Sequence, residues 1–197
     1  MNLPNRITIG RLFIAVMVLV ILVFPFYQVG IEWPKYLIAG KITINIKYII
    51  AGVLFIIGSV TDFLDGSIAR KQGIVTDFGK VMDAIADKVL VNGVLIALAY
   101  DGFIPIIIPI VIVTRDIAVD SIKMIVGSKS AAVGASVWGK IKTIFMMVGI
   151  SLVFFYNLPF ELVNISLGNY LIFIAAILSV FSGIQYYVAN KQFINEK

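Results

Sequence analysis

The chain is 197 residues long, 60% hydrophobic and 14% charged, with a mean hydropathy of +1.03. Soluble domains carry roughly 45–50% apolar and about 25% charged residues, so this composition belongs in lipid and excludes a disordered or fibrous chain. With no cysteine and no histidine, disulfides, thiolate or imidazole metal sites and cysteine or histidine catalysis are excluded, and acid–base or metal chemistry falls to the eleven carboxylates. The net charge of +5 is spread between apolar spans, which points to anionic headgroups or a phosphorylated substrate and away from nucleic acid.

A membrane-crossing helix needs ~20 mostly apolar residues. The first uncharged run covers residues 12–31. It exceeds the ~7–15 residues of a signal-peptide core and lacks a small-x-small cleavage site, so a retained first helix is expected. Pro4 and Asn5 suggest a short interfacial segment before it, and residues 32–41 a short amphipathic element outside. The second span, residues 47–70, acquires Asp62 and Asp65 late. The third, residues 79–100, carries Asp83, Asp87 and Lys88 early. The fourth, residues 102–126, is apolar until Arg115, Asp116, Asp120 and Lys123. Residues 143–160 give a fifth span. Residues 162–190 hold a short loop and a sixth. The expectation is a single all-α membrane domain over residues 1–197, with six transmembrane helices.

Basic residues set the orientation. With a cytoplasmic N-terminus, only Lys35, Lys41 and Lys47 of the sixteen basic residues lie outside. Both termini are then cytoplasmic in a multi-pass protein of the cell membrane. The charged halves of the second, third and fourth spans fall on that same side. Charges within spans avoid lipid, at ~2.5–3.5 kcal/mol each on insertion scales, so they describe a polar cavity open to the cytoplasm.

Asp62 and Asp65 share a helical face, which Gly66 and Ala69 extend with little side-chain bulk. Gly79, Asp83 and Asp87, spaced by four, form a second stripe, and residues 71–78 are long enough for an antiparallel turn between the two. Four close carboxylates cannot all stay ionised alone. Two divalent cations would cancel their charge, and oxygen-only ligands favour magnesium, manganese or calcium over zinc. Paired metals ~3.5–4 Å apart suit phosphoryl transfer, and Arg70 is placed to meet a phosphate. Two other readings remain open: ion pairs of these aspartates with Arg70, Lys80 and Lys88, and an ion pathway.

The pattern Asp62-x2-Asp65-Gly66-x2-Ala69-Arg70-x8-Gly79-x3-Asp83-x3-Asp87 resembles, at all eight fixed positions, the signature of the CDP-alcohol phosphotransferases, integral membrane enzymes of phospholipid synthesis. The resemblance implies transfer of a substituted phosphate from a CDP-linked lipid to an acceptor hydroxyl, with release of CMP. It implies that Asp62, Asp65, Asp83 and Asp87 ligate two divalent cations, magnesium or manganese, and that Asp87 is also the general base. A carboxylate beside cations is a weak base, so proton removal is concerted with attack. Gly66, Ala69, Arg70 and Gly79 would line the CDP pocket, with Thr76 near the nucleotide. Family members are commonly homodimeric.

The head of the chain, Pro4-Asn5-x2-Thr8-x2-Arg11, is similar to the opening of the bacterial phosphatidylglycerophosphate synthases, a branch of that family. That implies CDP-diacylglycerol as donor and the 1-hydroxyl of glycerol 3-phosphate as acceptor. Asn5 and Thr8 would assist CDP binding or else cap the first helix. Arg11, Arg115, Lys140 and Lys142 are the candidates for the acceptor phosphate. Arg115 leads because an arginine within a span requires an anion, and neighbouring Asp116 and the more distant Asp120 are expected to point elsewhere. Serine, inositol phosphate or phosphatidylglycerol as acceptor are the alternatives within the class. A divalent-cation transporter or a purely structural subunit are the alternatives outside it.

Overall fold

The structure is a computed structural model that describes residues 3–72, 77–128 and 137–194, with side chains over 7–62, 79, 81–127 and 137–191. Among these residues are six α-helices: α1 (Leu3–Val23), α2 (Ile46–Gln72), α3 (Asp77–Tyr100), α4 (Ile107–Ser128), α5 (Val137–Phe154) and α6 (Leu167–Ile194). Two strands, β1 (Lys35–Ile38) and β2 (Ile42–Asn45), pair as an antiparallel hairpin between α1 and α2, in the register Lys35↔Asn45 to Ile38↔Ile42.

The helix ends follow local chemistry. α1 runs without a break through Pro4 and Asn5, replacing the expected separate interfacial segment. Proline in a first helical turn loses only an N–H that has no intrahelical partner there. Thr8 therefore lies inside the helix and does not cap it. The helix stops at Val23, earlier than the apolar run suggests, because Pro25 disfavours helical geometry in the residue before it. The expected amphipathic element at residues 32–41 is the first strand and turn of the hairpin, and all four residues of β1 are exposed. The turn needs left-handed backbone at Ala39 and Gly40, with φ of 50° and 67°. α5 starts at Val137, ahead of the expected span, because Lys140 and Lys142 are helical. It ends where Tyr156 and Asn157 turn left-handed.

α1 packs on α2 and α3, α4 on α6, and α5 on α6 and α2. The contacts are close where glycine removes bulk. A Cβ on Gly149 would sit 2.7 Å from Ile172 Cγ1 and 2.9 Å from the Gly168 carbonyl of α6, so the α5–α6 backbones nearly touch. Phe55, Leu90, Leu98, Ile112, Ile150 and Ile172 are among the fully buried core residues.

Outward faces are apolar as well: Phe13, Val16 and Val20 on α1, and Phe173, Ile177, Phe181, Ile184 and Val188 on α6, are exposed. Exposed apolar stripes of this extent mark a lipid or protein contact. Among the described residues, two helical segments, Val137–Phe154 and Leu167–Lys191, are long and apolar enough to cross a membrane, and Ile7–Val23 is a shorter apolar helix.

The helices alternate in direction, as the polar contacts at the two ends of the bundle show. At one end, Lys47 Nζ donates to the Leu22 carbonyl at 3.1 Å, the Tyr48 hydroxyl to Asp101 Oδ2 at 2.8 Å, and the Asn45 amide to the Tyr156 hydroxyl at 2.8 Å. Burial raises the Tyr156 phenol above its ordinary value, against the opposing effect of the Asn45 amide. Near the same end, Asn157 Oδ1 accepts the Gly168 amide at 2.7 Å and so satisfies a donor at the start of α6. The opposite end gathers the charged halves of the helices.

Candidate active site

Three helices converge on one guanidinium. Arg11, three residues after the buried Thr8 on α1, is 1% exposed. Its Nη1 donates to Asp83 Oδ1 at 2.8 Å and to Asp62 Oδ1. Asp62 comes from the later part of α2 and Asp83 from the second turn of α3, so the antiparallel α2–α3 arrangement inferred from spacing brings the two carboxylates within two hydrogen-bond lengths of each other.

One turn further along α3 stands Asp87, in electrostatic range of Asp62, Asp83, Arg11 and Asp116. Asp87 lines a cavity of about 40 Å³ together with Lys88, Asn92, Asp116, Lys142 and Thr143. Lys142 is buried, and its Nζ donates to Asp116 Oδ1 at 2.9 Å. The same oxygen accepts Arg115 Nη1 at 3.0 Å.

Arg115 is engaged at all three nitrogens. Besides Asp116, its Nε donates to the Ser179 carbonyl at 2.9 Å and its Nη2 to Ser182 Oγ at 2.7 Å, both on α6. The expectation that Asp116 points away from Arg115 is therefore corrected. Adjacent Cβ atoms diverge on a helix, but the long arginine side chain reaches back to its neighbour. Asp120 instead pairs with Lys88 of α3, and with Lys123 at 3.6 Å.

The site thus joins Arg11, Asp62, Asp83, Asp87, Asp116 and Lys142, and Thr8 is buried one turn before Arg11 on α1. Gly79 is partly buried in the first turn of α3, and Lys140 is exposed on α5. The side chains of Asn5, Asp65, Gly66, Ala69 and Arg70 and the whole of Thr76 lie outside the described residues. Sequence reasoning missed Asp116, Ser179, Ser182 and Gly183. A signal was present: Ser179, Ser182 and Gly183, spaced by three and one, form a small-residue stripe of the kind that lets helices approach closely and bond across an apolar interface.

The donor set fits hard cations. Two carboxylate oxygens from different helices meet on a single positively charged nitrogen, so the protein already concentrates anionic oxygen at one point. Among the described residues no cluster of three or more acidic side chains forms a metal site; the side chain of Asp65, the second aspartate of the pattern, is outside them.

A family model for CDP-alcohol phosphatidyltransferase matches residues 1–181. The chain belongs to the CDP-alcohol phosphatidyltransferase family. Among its relatives is the CDP-diacylglycerol–glycerol-3-phosphate 3-phosphatidyltransferase of Bacillus subtilis, 36% identical over 189 residues, covering 96% of this chain and 95% of that protein. The protein of the same name from Mycoplasma pneumoniae is 38% identical over 191 residues, covering 96% and 81%. The one from Rickettsia felis is 30% identical over 193 residues, covering 98% and 97%. In this CDP-alcohol phosphatidyltransferase, the aspartates that meet on Arg11 are the first and third of the family pattern.

Proposed function

We propose that the chain transfers the phosphatidyl group of CDP-diacylglycerol to the 1-hydroxyl of sn-glycerol 3-phosphate, giving phosphatidylglycerophosphate and CMP. The names of the full-length relatives support the reaction. The meeting of Asp62 and Asp83 on one cationic nitrogen is the observation that carries the site.

Asp87 takes the proton of the attacking hydroxyl. The new bond forms between that oxygen and the phosphorus bearing the diacylglycerol, and the bond from this phosphorus to the CMP oxygen breaks, leaving CMP as the anion. Asp62, Asp65, Asp83 and Asp87 would hold two divalent cations, magnesium or manganese, which when bound supply charge neutralisation to the diphosphate and to the departing CMP. Asn5, Thr8, Gly66, Ala69, Arg70, Thr76 and Gly79 form the CDP pocket, where residues of little bulk on α2 admit a nucleotide close to the backbone. Lys142, beside Asp87, meets the acceptor phosphate, with Lys140 and Arg11 as flanking positive charge. Arg115 contributes from behind Asp116.

The whole chain is one domain. It spans the cell membrane six times as a homodimer, with both termini and the polar cavity on the cytoplasmic side, where the lipid tails of the donor stay in the bilayer. The positive-inside imbalance and the alternating helix directions support that placement.

The test is a headgroup-transfer assay on purified protein in mixed micelles, with labelled glycerol 3-phosphate, serine or inositol phosphate, with and without chelator. Magnesium-dependent label in lipid from glycerol 3-phosphate alone is expected, with kcat reduced about 10²–10⁴-fold in Asp87→Asn. Transfer to serine or inositol phosphate instead would overturn the acceptor, and full activity in chelator would overturn the metal assignment.

A further inference from the structure

We infer that Asp116 is a positioning residue for the acceptor: it ties the Lys142 ammonium to α6 through Arg115 and so holds that ammonium beside Asp87 without letting it pair with the base. The inference rests on the acceptor reading above. Asp116 Oδ1 is the shared acceptor of Lys142 Nζ and Arg115 Nη1, at 2.9 and 3.0 Å. Arg115 is fixed in turn by the Ser179 carbonyl and Ser182 Oγ, and Ser182 Oγ itself donates to the Ser179 carbonyl at 3.0 Å.

Gly183 gives Arg115 its room. A Cβ there would lie 3.0 Å from Arg115 Cγ and 3.2 Å from Nε. Asp116 and Lys142 both line the cavity that Asp87 lines, whereas Arg115 is not among its lining residues. Arg115 therefore acts as the clamp and Lys142 as the cation presented to a ligand. An ammonium carries three donors, of which Asp116 takes one. Lys142 interacts electrostatically with both Asp116 and Asp87. Without Asp116 its flexible stem would bring the ammonium to Asp87, the other anion in its electrostatic range among the described residues, and neither group could then serve the acceptor.

The test is steady-state kinetics of the full-length enzyme in mixed micelles with magnesium, varying glycerol 3-phosphate and CDP-diacylglycerol separately. A hydrogen bond to a charged group is worth about tenfold to a hundredfold in an equilibrium constant, so Asp116→Asn should raise the KM for glycerol 3-phosphate by about tenfold or more. The KM for CDP-diacylglycerol should stay within about twofold. Asp116→Glu, which keeps the anionic oxygen, should recover part of the loss.

Lys142→Met should raise the same KM, and the double variant Asp116→Asn/Lys142→Met should be no worse than Lys142→Met alone, because residues in one network do not act additively. Gly183→Ala, which presses on Arg115, should raise that KM by a smaller factor, and the rise should vanish in the Lys142→Met background; this variant carries the test if Asp116→Asn does not fold. An unchanged KM for glycerol 3-phosphate in folded Asp116→Asn, or factors that multiply in the double variant, would overturn the inference. A wild-type enzyme that transfers nothing to glycerol 3-phosphate would instead overturn the acceptor reading itself.

Discussion

Replacing Arg11 by methionine removes the guanidinium while keeping much of its apolar bulk, and leaves Asp62 and Asp83 facing each other. Breaking a buried ion pair by deleting one partner typically costs about 3–5 kcal/mol, because the remaining charge is uncompensated. Arg11 is fully buried, but the side chains of Asp62 and Asp83 are 32% and 49% exposed. Water shares the compensation there, which brings the cost below that range, to about 2–3 kcal/mol. For a chain of 150–250 residues each kcal/mol moves Tm by about 2–4 °C, so a fall of about 5–10 °C is expected in chelator.

Magnesium changes the comparison. A cation that binds only the folded state stabilises it by about 2.7 kcal/mol at a hundredfold excess over Kd, which matches the loss. Wild type gains less, because the guanidinium already neutralises part of the same pair. Thermal melting of both proteins in detergent, in chelator and in saturating magnesium, reads the difference directly. The Tm gap should be wide in chelator and narrow in magnesium, and calorimetric titration should show tighter magnesium binding by the variant. An equal gap under both conditions would refute the placement of the cations beside Arg11, and so would a variant as stable as wild type in chelator.

Two further outcomes concern the scaffold. Gly149→Ala drives a methyl to 2.7 Å from Ile172 and 2.9 Å from a backbone carbonyl, and overpacking of this kind costs about 1–3 kcal/mol; Gly139→Ala, with nothing within 4 Å, should leave Tm unchanged, as melting of the pair will show. Tyr156→Phe should lower stability near neutral pH by about 0.5–1.5 kcal/mol through the lost Asn45 bond. Folding holds the Tyr156 phenol protonated, so its contribution is complete below about pH 10, the ordinary tyrosine value, and is lost as pH rises beyond it. The stability gap between wild type and Tyr156→Phe, measured by denaturation from pH 7 to 11, should therefore shrink toward the alkaline end.

The aspartates were legible because helical spacing is a local rule: Asp62 on one helix and Asp83 and Asp87 on the next needed only a short connection to face each other, and the structure pairs the first two across Arg11. Helix ends were legible only where a residue forces them. Pro25 ends α1, but the stop of α5 depends on two left-handed residues, Tyr156 and Asn157, that no simple pattern marks. Asp116 was misread as pointing away from Arg115, because the rule for neighbours on a helix compares Cβ directions and ignores how far an arginine reaches. The pairing of Arg11 was not legible at all. Its partners lie 51 and 72 residues away, and only the packing of α1 against α2 and α3 brings them together.

The two clusters of the polar end form one chain of charge. It begins on α1 with Arg11, crosses Asp62 of α2 and Asp83 of α3, passes Asp87 on the next turn, and reaches Lys142 of α5. From there it runs through Asp116 and Arg115 of α4 to the serines of α6. Every helix contributes, and Asp87 stands where the cationic half meets the anionic half. In an apolar bundle such a chain cannot be explained as stabilisation, since buried ion pairs return little beyond their desolvation cost. Its arrangement agrees with the proposed reaction, in which cations at Asp62 and Asp83 would meet the diphosphate, Lys142 would meet the phosphorylated acceptor, and Asp87 would act between the two.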